Sequence, residues 1–266
     1  MRRLRALLGK EFMDLRQHPS VFLPAAIAAF FALLLPFLIA VVIPAVSGEP
    51  LSDSSDFEMA TEMYRREPAT RTLDPEAAIQ AWLFQQFLMF LIVIPVVGST
   101  SVAAHAVVGE KQARTLEPLL ATPLTTFELL AAKTLAALLP ALALSLICFG
   151  VYLTGIALFA RPGVAGTLLA ARSLAVVLLL GPLAVLAALQ VAVCVSSRAG
   201  DERSAQQWGS LIVLPLAGLF VAPLLGAEIT LPMILATALG LAIANGILMW
   251  IGIGVFDREN ILTRWK

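Results

Sequence analysis

His18, His105, Cys148 and Cys194 are the whole histidine and cysteine complement of this 266-residue chain. A protein-bound zinc needs three or four histidine, cysteine or carboxylate ligands brought together. His105 and Glu110 stand five apart and fit no H-E-x-x-H pattern, and no serine is followed by a credible base. The sequence holds no G-x-x-x-x-G-K-S/T, so it has no loop of that kind to cradle nucleotide phosphates. Both cysteines fall inside apolar runs, where packing rather than a disulfide is expected. Catalysis by this chain alone is therefore not expected. The densest polar chemistry lies in the segment 110–133 instead. There Leu116, Leu119 and Leu120 form an apolar edge beside Glu110, Lys111, Arg114 and Glu117. Thr122-Pro123 breaks the segment, and Thr125 with Glu128 forms a capping box that starts a second helical piece. A short amphipathic helix of this kind lies on lipid or docks into a groove on another protein.

The elements that position these residues follow from the distribution of charge. The chain is 59% hydrophobic and 14% charged, with a mean hydropathy of +0.90. Soluble domains carry about 25% charge. Lys+Arg and Asp+Glu are equal at 18 each, so no basic excess points to nucleic acid. Six windows contain no Asp, Glu, Lys or Arg: 17–48, 77–109, 134–160, 173–197, 204–227 and 229–256. Each exceeds the roughly 20 residues a helix needs to cross a bilayer. Runs such as 138–144 and 174–180 are apolar on every face, which excludes the alternating strands of a membrane barrel. The expected fold is an all-α membrane protein forming a single domain over 1–266. Its six transmembrane helices are expected at 21–46, 79–106, 127–159, 173–197, 207–226 and 231–256.

Basic residues orient the spans. Thirteen lie in the termini and in the connections after the second and fourth spans, against five on the other side. The positive-inside rule places both termini in the cytoplasm. A cleaved signal peptide is the rival reading of the N-terminus, but the apolar run 21–46 is far longer than the 7–15 residues of a signal h-region. Residues 1–18 form an expected interfacial helix. Leu4, Leu7, Leu8, Phe12 and Leu15 lie on one face, and Pro19 separates it from the first span. The acidic segment 47–73 is an external loop too short to bury a core. After it, Asp74-Pro75-Glu76 marks a helix start, with Asp74 placed to cap. Within the spans, Gln190 and Asn245 are uncharged polar residues suited to interhelical hydrogen bonds or to lining a translocation path.

The ordered residues Glu110-Lys111, Thr115-Leu116-Glu117, Leu119-Leu120, Ala121-Thr122-Pro123, Glu128-Leu129-Leu130 and Lys133 resemble the signature of ABC-2-type permeases. These are the membrane subunits of ATP-binding-cassette exporters. Lys10-Glu11-Phe12 is similar to the elbow helix of the same family. Two departures stand out: Ala132 replaces a frequent Gly, and the link 226–230 is too short for the external re-entrant helices of many relatives. The resemblance implies a cytoplasmic coupling helix at 110–121, between spans two and three, docked on a separate ATPase subunit. Glu110, Lys111, Arg114 and Glu117 would form its polar rim and Leu116 and Leu120 its apolar anchor, with Thr115, Pro123 and Glu128 in the same coupling motif. It also implies ATP and Mg on the partner rather than on this chain. A homodimer, or a heterodimer with a second permease, in the bacterial inner membrane is implied as well. The competing reading is a stand-alone channel or secondary transporter, which would purify without an ATPase.

Overall fold

A backbone surrounded by hydrocarbon must satisfy its own amides and carbonyls, so long uncharged runs become helices. The computed structural model describes residues 9, 13, 23–53, 57, 73–112, 126–196, 202–224 and 229–255. Among the described residues there is no strand. Five helical stretches are long and apolar enough to cross a membrane: Leu23–Ser47, Pro75–His105, Leu130–Phe159, Ala171–Ser196 and Leu231–Gly254. Their burial separates a centre from a perimeter. The second and fourth stretches are 67% buried, whereas the first and last are 22% buried and present Phe30, Phe31, Leu239 and Ile243 outward. The expected interfacial helix at 1–18 falls almost entirely outside the described residues, as does most of the loop 47–73.

Proline explains where the helices depart from regularity. Its ring clashes with the carbonyl four residues earlier and offers that carbonyl no N–H. The first stretch passes through a π-helical turn, Leu38–Val42, which contains Ala40, four before Pro44. The fourth passes through a π-helical turn, Val176–Leu180, which contains Leu178, four before Pro182. Pro36, Pro95 and Pro140 sit inside α-helix without such a turn, and nothing in their surroundings explains the difference.

The same clash alters the expected span at 207–226. This region is two helices, Glu202–Ser210 and Val213–Leu224, interrupted at Leu211-Ile212. Leu211 lies four before Pro215. There the backbone tightens: Leu211 N–H reaches the carbonyls of Gln207 and Trp208, both at 3.3 Å, and Ile212 N–H reaches that of Gly209 at 3.3 Å. The second helix has 12 residues, a rise of about 18 Å against a ~30 Å hydrocarbon core. A continuous sixth span is thus not seen in the described residues.

The first four stretches alternate in direction, with their ends gathered by specific polar contacts. The last runs beside the fourth in the same sense, with Arg172 Nη1 donating to the Ile229 carbonyl at 3.4 Å where both begin. Gln80, near the start of the second stretch, donates through Nε2 to the Ala40 carbonyl at 3.0 Å. Its Oε1 accepts from Arg161 N–H at 2.8 Å. One carboxamide therefore ties the first, second and third stretches at a common end. Ala40 is the carbonyl that Pro44 cannot serve, so the proline supplies the acceptor and Gln80 the donor. One layer deeper, Phe37, Phe84 and Tyr152 pack with ring centroids 5.1–5.8 Å apart. The Tyr152 hydroxyl donates to the Phe84 carbonyl at 2.9 Å. A Cβ on Gly155 would lie 2.6 Å from the Phe37 ring, so glycine makes room for this cluster.

Gly209 is the other close approach. A Cβ there would meet Thr100 Cγ2 at 2.6 Å, the Ala188 carbonyl oxygen at 2.9 Å and Ala192 Cβ at 3.0 Å. Thr100 can rotate, but the main-chain oxygen of Ala188 cannot move without its helix. Gly209→Ala is expected to cost about 1–3 kcal/mol through overpacking. Thermal unfolding in detergent checks this, with Gly240→Ala as control because a Cβ there meets nothing within 4 Å.

Candidate functional site

The candidate site comprises the connection between the second and third stretches and the polar groups inside the bundle. The helix Phe90–Gln112 carries Glu110 and Lys111 on its last turn. Arg114, Thr115, Leu116, Glu117, Leu120 and Pro123 lie outside the described residues, as does the capping residue Thr125. The chain returns at the helix Thr126–Phe159, whose first turn holds Glu128, half-buried, where a carboxylate complements the positive end of the helix dipole. Lys133, five residues on, is buried with 3% exposure.

The helices on either side of the connection pack along each other. Leu130, Ala132, Ala136 and Ala137 bury their side chains on the third stretch, and Val102, Ala103 and Ala104 do so on the second. Small side chains let backbones approach closely, which is how membrane helices associate without a hydrophobic drive. Thirteen residues, 113–125, thus join two helices of 23 and 34 residues.

Gln190 and Asn245 are both buried, at 7% and 6% exposure. Asn245 Nδ2 donates to the Leu183 carbonyl at 3.0 Å and to its own Leu241 carbonyl at 2.9 Å, tying the last stretch to the fourth. Its Oδ1 and the Oε1 of Gln190 have no hydrogen-bond partner among the described residues. Asn245 therefore has a structural bond and a spare acceptor.

Two features escaped sequence reasoning. No local pattern in the sequence marks Gln80, although an orphan carbonyl four before Pro44 signals the need for a donor. At the second stretch, the helix begins at Pro75 as the sequence indicates, but Asp74 makes no side-chain capping bond. Glu76 instead accepts from Ser52 N–H at 3.2 Å, fastening the segment after the first span to the start of the second. Among the described residues no group of three or more His, Cys, Asp or Glu is gathered to hold a metal.

A sequence profile for ABC-2 family transporter proteins matches residues 61–239, a stretch that contains the 110–133 connection and four of the five long apolar helices in whole or part. No curated protein matches the chain.

Proposed function

This chain belongs to the ABC-2 family of transporter proteins and is a multi-pass integral membrane permease of an ABC transporter; from that premise we propose that it serves an ATP-driven exporter. In this reading residues 110–121 form a coupling helix that docks on a separate ATPase subunit, the partner that the family implies. The observation that supports it is the short connection between two long, mutually packed helices. An ATPase dimer that closes on nucleotide and opens after hydrolysis would push on this connection, and the two helices would tilt as one lever.

Glu110, Lys111, Arg114 and Glu117 form the polar rim of the docking surface, Leu116 and Leu120 its anchor, and Thr115, Pro123 and Glu128 shape its exit into the third stretch. ATP and Mg stay on the partner. The permease pairs with a second copy or with a related permease, since helix perimeters as open as those of the first and last stretches leave room for a neighbour. The pair Glu202–Ser210 and Val213–Leu224 acts as a broken sixth crossing. Gln190 and Asn245 line or border the translocation path, a reading supported by their polarity within apolar stretches.

The bacterial inner membrane is the site of action, with both termini cytoplasmic. Reporter fusions test this arrangement. A C-terminal reporter is expected inside and one inserted near Asp56 outside, and both on one side would refute an even number of crossings.

A further inference from the structure

Where the first stretch ends, the second begins and the third ends, the helices leave a cleft of about 380 Å³. Its walls are apolar at Val41, Pro44 and Phe159, and polar at Glu76, Gln80 and Arg161. The volume falls within the roughly 300–1,000 Å³ of small-molecule sites. Gln80 is already engaged by the Ala40 carbonyl and the Arg161 amide. Glu76 and Arg161 remain as opposite charges in one cleft. Glu76 is 7% exposed and accepts one main-chain N–H, from Ser52. Arg161 is exposed, and its main-chain N–H, not its guanidinium, makes the bond to Gln80. Neither residue is in an ion pair among the described residues.

A buried carboxylate is costly without a cationic partner. One carboxylate and one guanidinium sharing a cleft suit a ligand that carries both charges. The position narrows the class. The cleft lies where three membrane helices end, at the level of a lipid headgroup, and Phe159 stands open beside it at 66% exposure. We infer that this cleft binds a zwitterionic phospholipid headgroup, with its primary ammonium on Glu76 and its phosphate on Arg161. The glycerol and upper acyl carbons lie along Val41, Pro44 and Phe159. A quaternary ammonium is disfavoured, because such groups are held by aromatic cages, and Phe159 is the single aromatic among the described residues of the lining.

The site is independent of the coupling segment, so the proposed exporter and this lipid site stand or fall separately. The test uses full-length protein in a non-ionic detergent, with lipid binding read by native mass spectrometry. The probes are phosphatidylethanolamine, phosphatidylcholine, phosphatidylglycerol and soluble O-phosphoethanolamine. Phosphatidylethanolamine is expected to bind at least fivefold more tightly than the other two lipids. Glu76→Gln should weaken its binding roughly tenfold while leaving phosphatidylglycerol unchanged, since loss of one charge-assisted bond is of that size. Arg161→Gln should weaken both lipids. Either variant keeps the contacts of the fold, because the carboxamide oxygen introduced by Glu76→Gln still accepts from Ser52 N–H, and position 161 keeps its main-chain N–H. Unfolding midpoints within about 2 °C of the parent are expected for both, since each variant keeps the hydrogen bond made at its position. Equal binding of all three lipids, or no effect of Glu76→Gln on a folded protein, would overturn the site. Binding of soluble O-phosphoethanolamine without lipid binding would overturn the lipid assignment.

Discussion

Leu116→Glu is expected to abolish ATP-dependent transport by the assembled complex while leaving the permease inserted and folded. Leu116 is the proposed apolar anchor of the coupling helix, and a carboxylate there must be desolvated on docking or prevent it. Anchors at the centre of an interface cost about 2–4 kcal/mol when removed, which corresponds to a loss of roughly 30-fold or more in association. The ATPase should then hydrolyse at its uncoupled rate, insensitive to the permease. Leu116→Met keeps the apolar volume and should retain coupling. Glu110→Gln lies on the rim, so a smaller loss is expected there. Unchanged coupling in Leu116→Glu would refute docking through this segment and leave a helix that merely rests on lipid.

Gln80→Leu is expected to loosen three helix ends at once. It removes a donor from the Ala40 carbonyl and an acceptor from the Arg161 amide, over sequence separations of 40 and 81 residues. Interhelical hydrogen bonds in membranes average about 0.6 kcal/mol, because the freed groups find other partners. Here the obvious replacement is barred, since Pro44 has no N–H to offer Ala40. A loss of about 1–3 kcal/mol is therefore expected, seen as a fall of roughly 3–8 °C in the unfolding midpoint. Gln80→Glu keeps the acceptor for Arg161 but sets a buried carboxylate against the Ala40 carbonyl and four residues from Glu76, so it is expected to destabilise at least as much. A midpoint unchanged in Gln80→Leu would mean the three helix ends are held by packing alone.

What could be read from the sequence follows from the range of the interactions concerned. The long helices were legible because a run without Asp, Glu, Lys or Arg is a local property, and hydrocarbon admits few alternatives for such a run. Leu211-Ile212 was not legible in that way. Proline is tolerated in membrane helices, and Pro36, Pro95 and Pro140 all lie within regular helix in the long stretches. Asp74-Pro75-Glu76 marks a helix start, a local signal, whereas the partner of Glu76 is Ser52, 24 residues away. The cleft beside it depends on residues 40, 76 and 161 meeting, which no local pattern encodes. For the coupling segment the reverse holds. Its ordered motif is local and readable, and the matched family covers it, while most of its side chains lie outside the described residues.

Affinity purification of the tagged, full-length chain from gently solubilised membranes tests the central claim most directly, followed by reconstitution of what is recovered. A permease driven by a separate engine should bring with it a second polypeptide that carries a phosphate-binding loop and hydrolyses ATP. Transport by the reconstituted pair should then stop when ATP is withheld. A chain that is recovered alone and transports without ATP would contradict it.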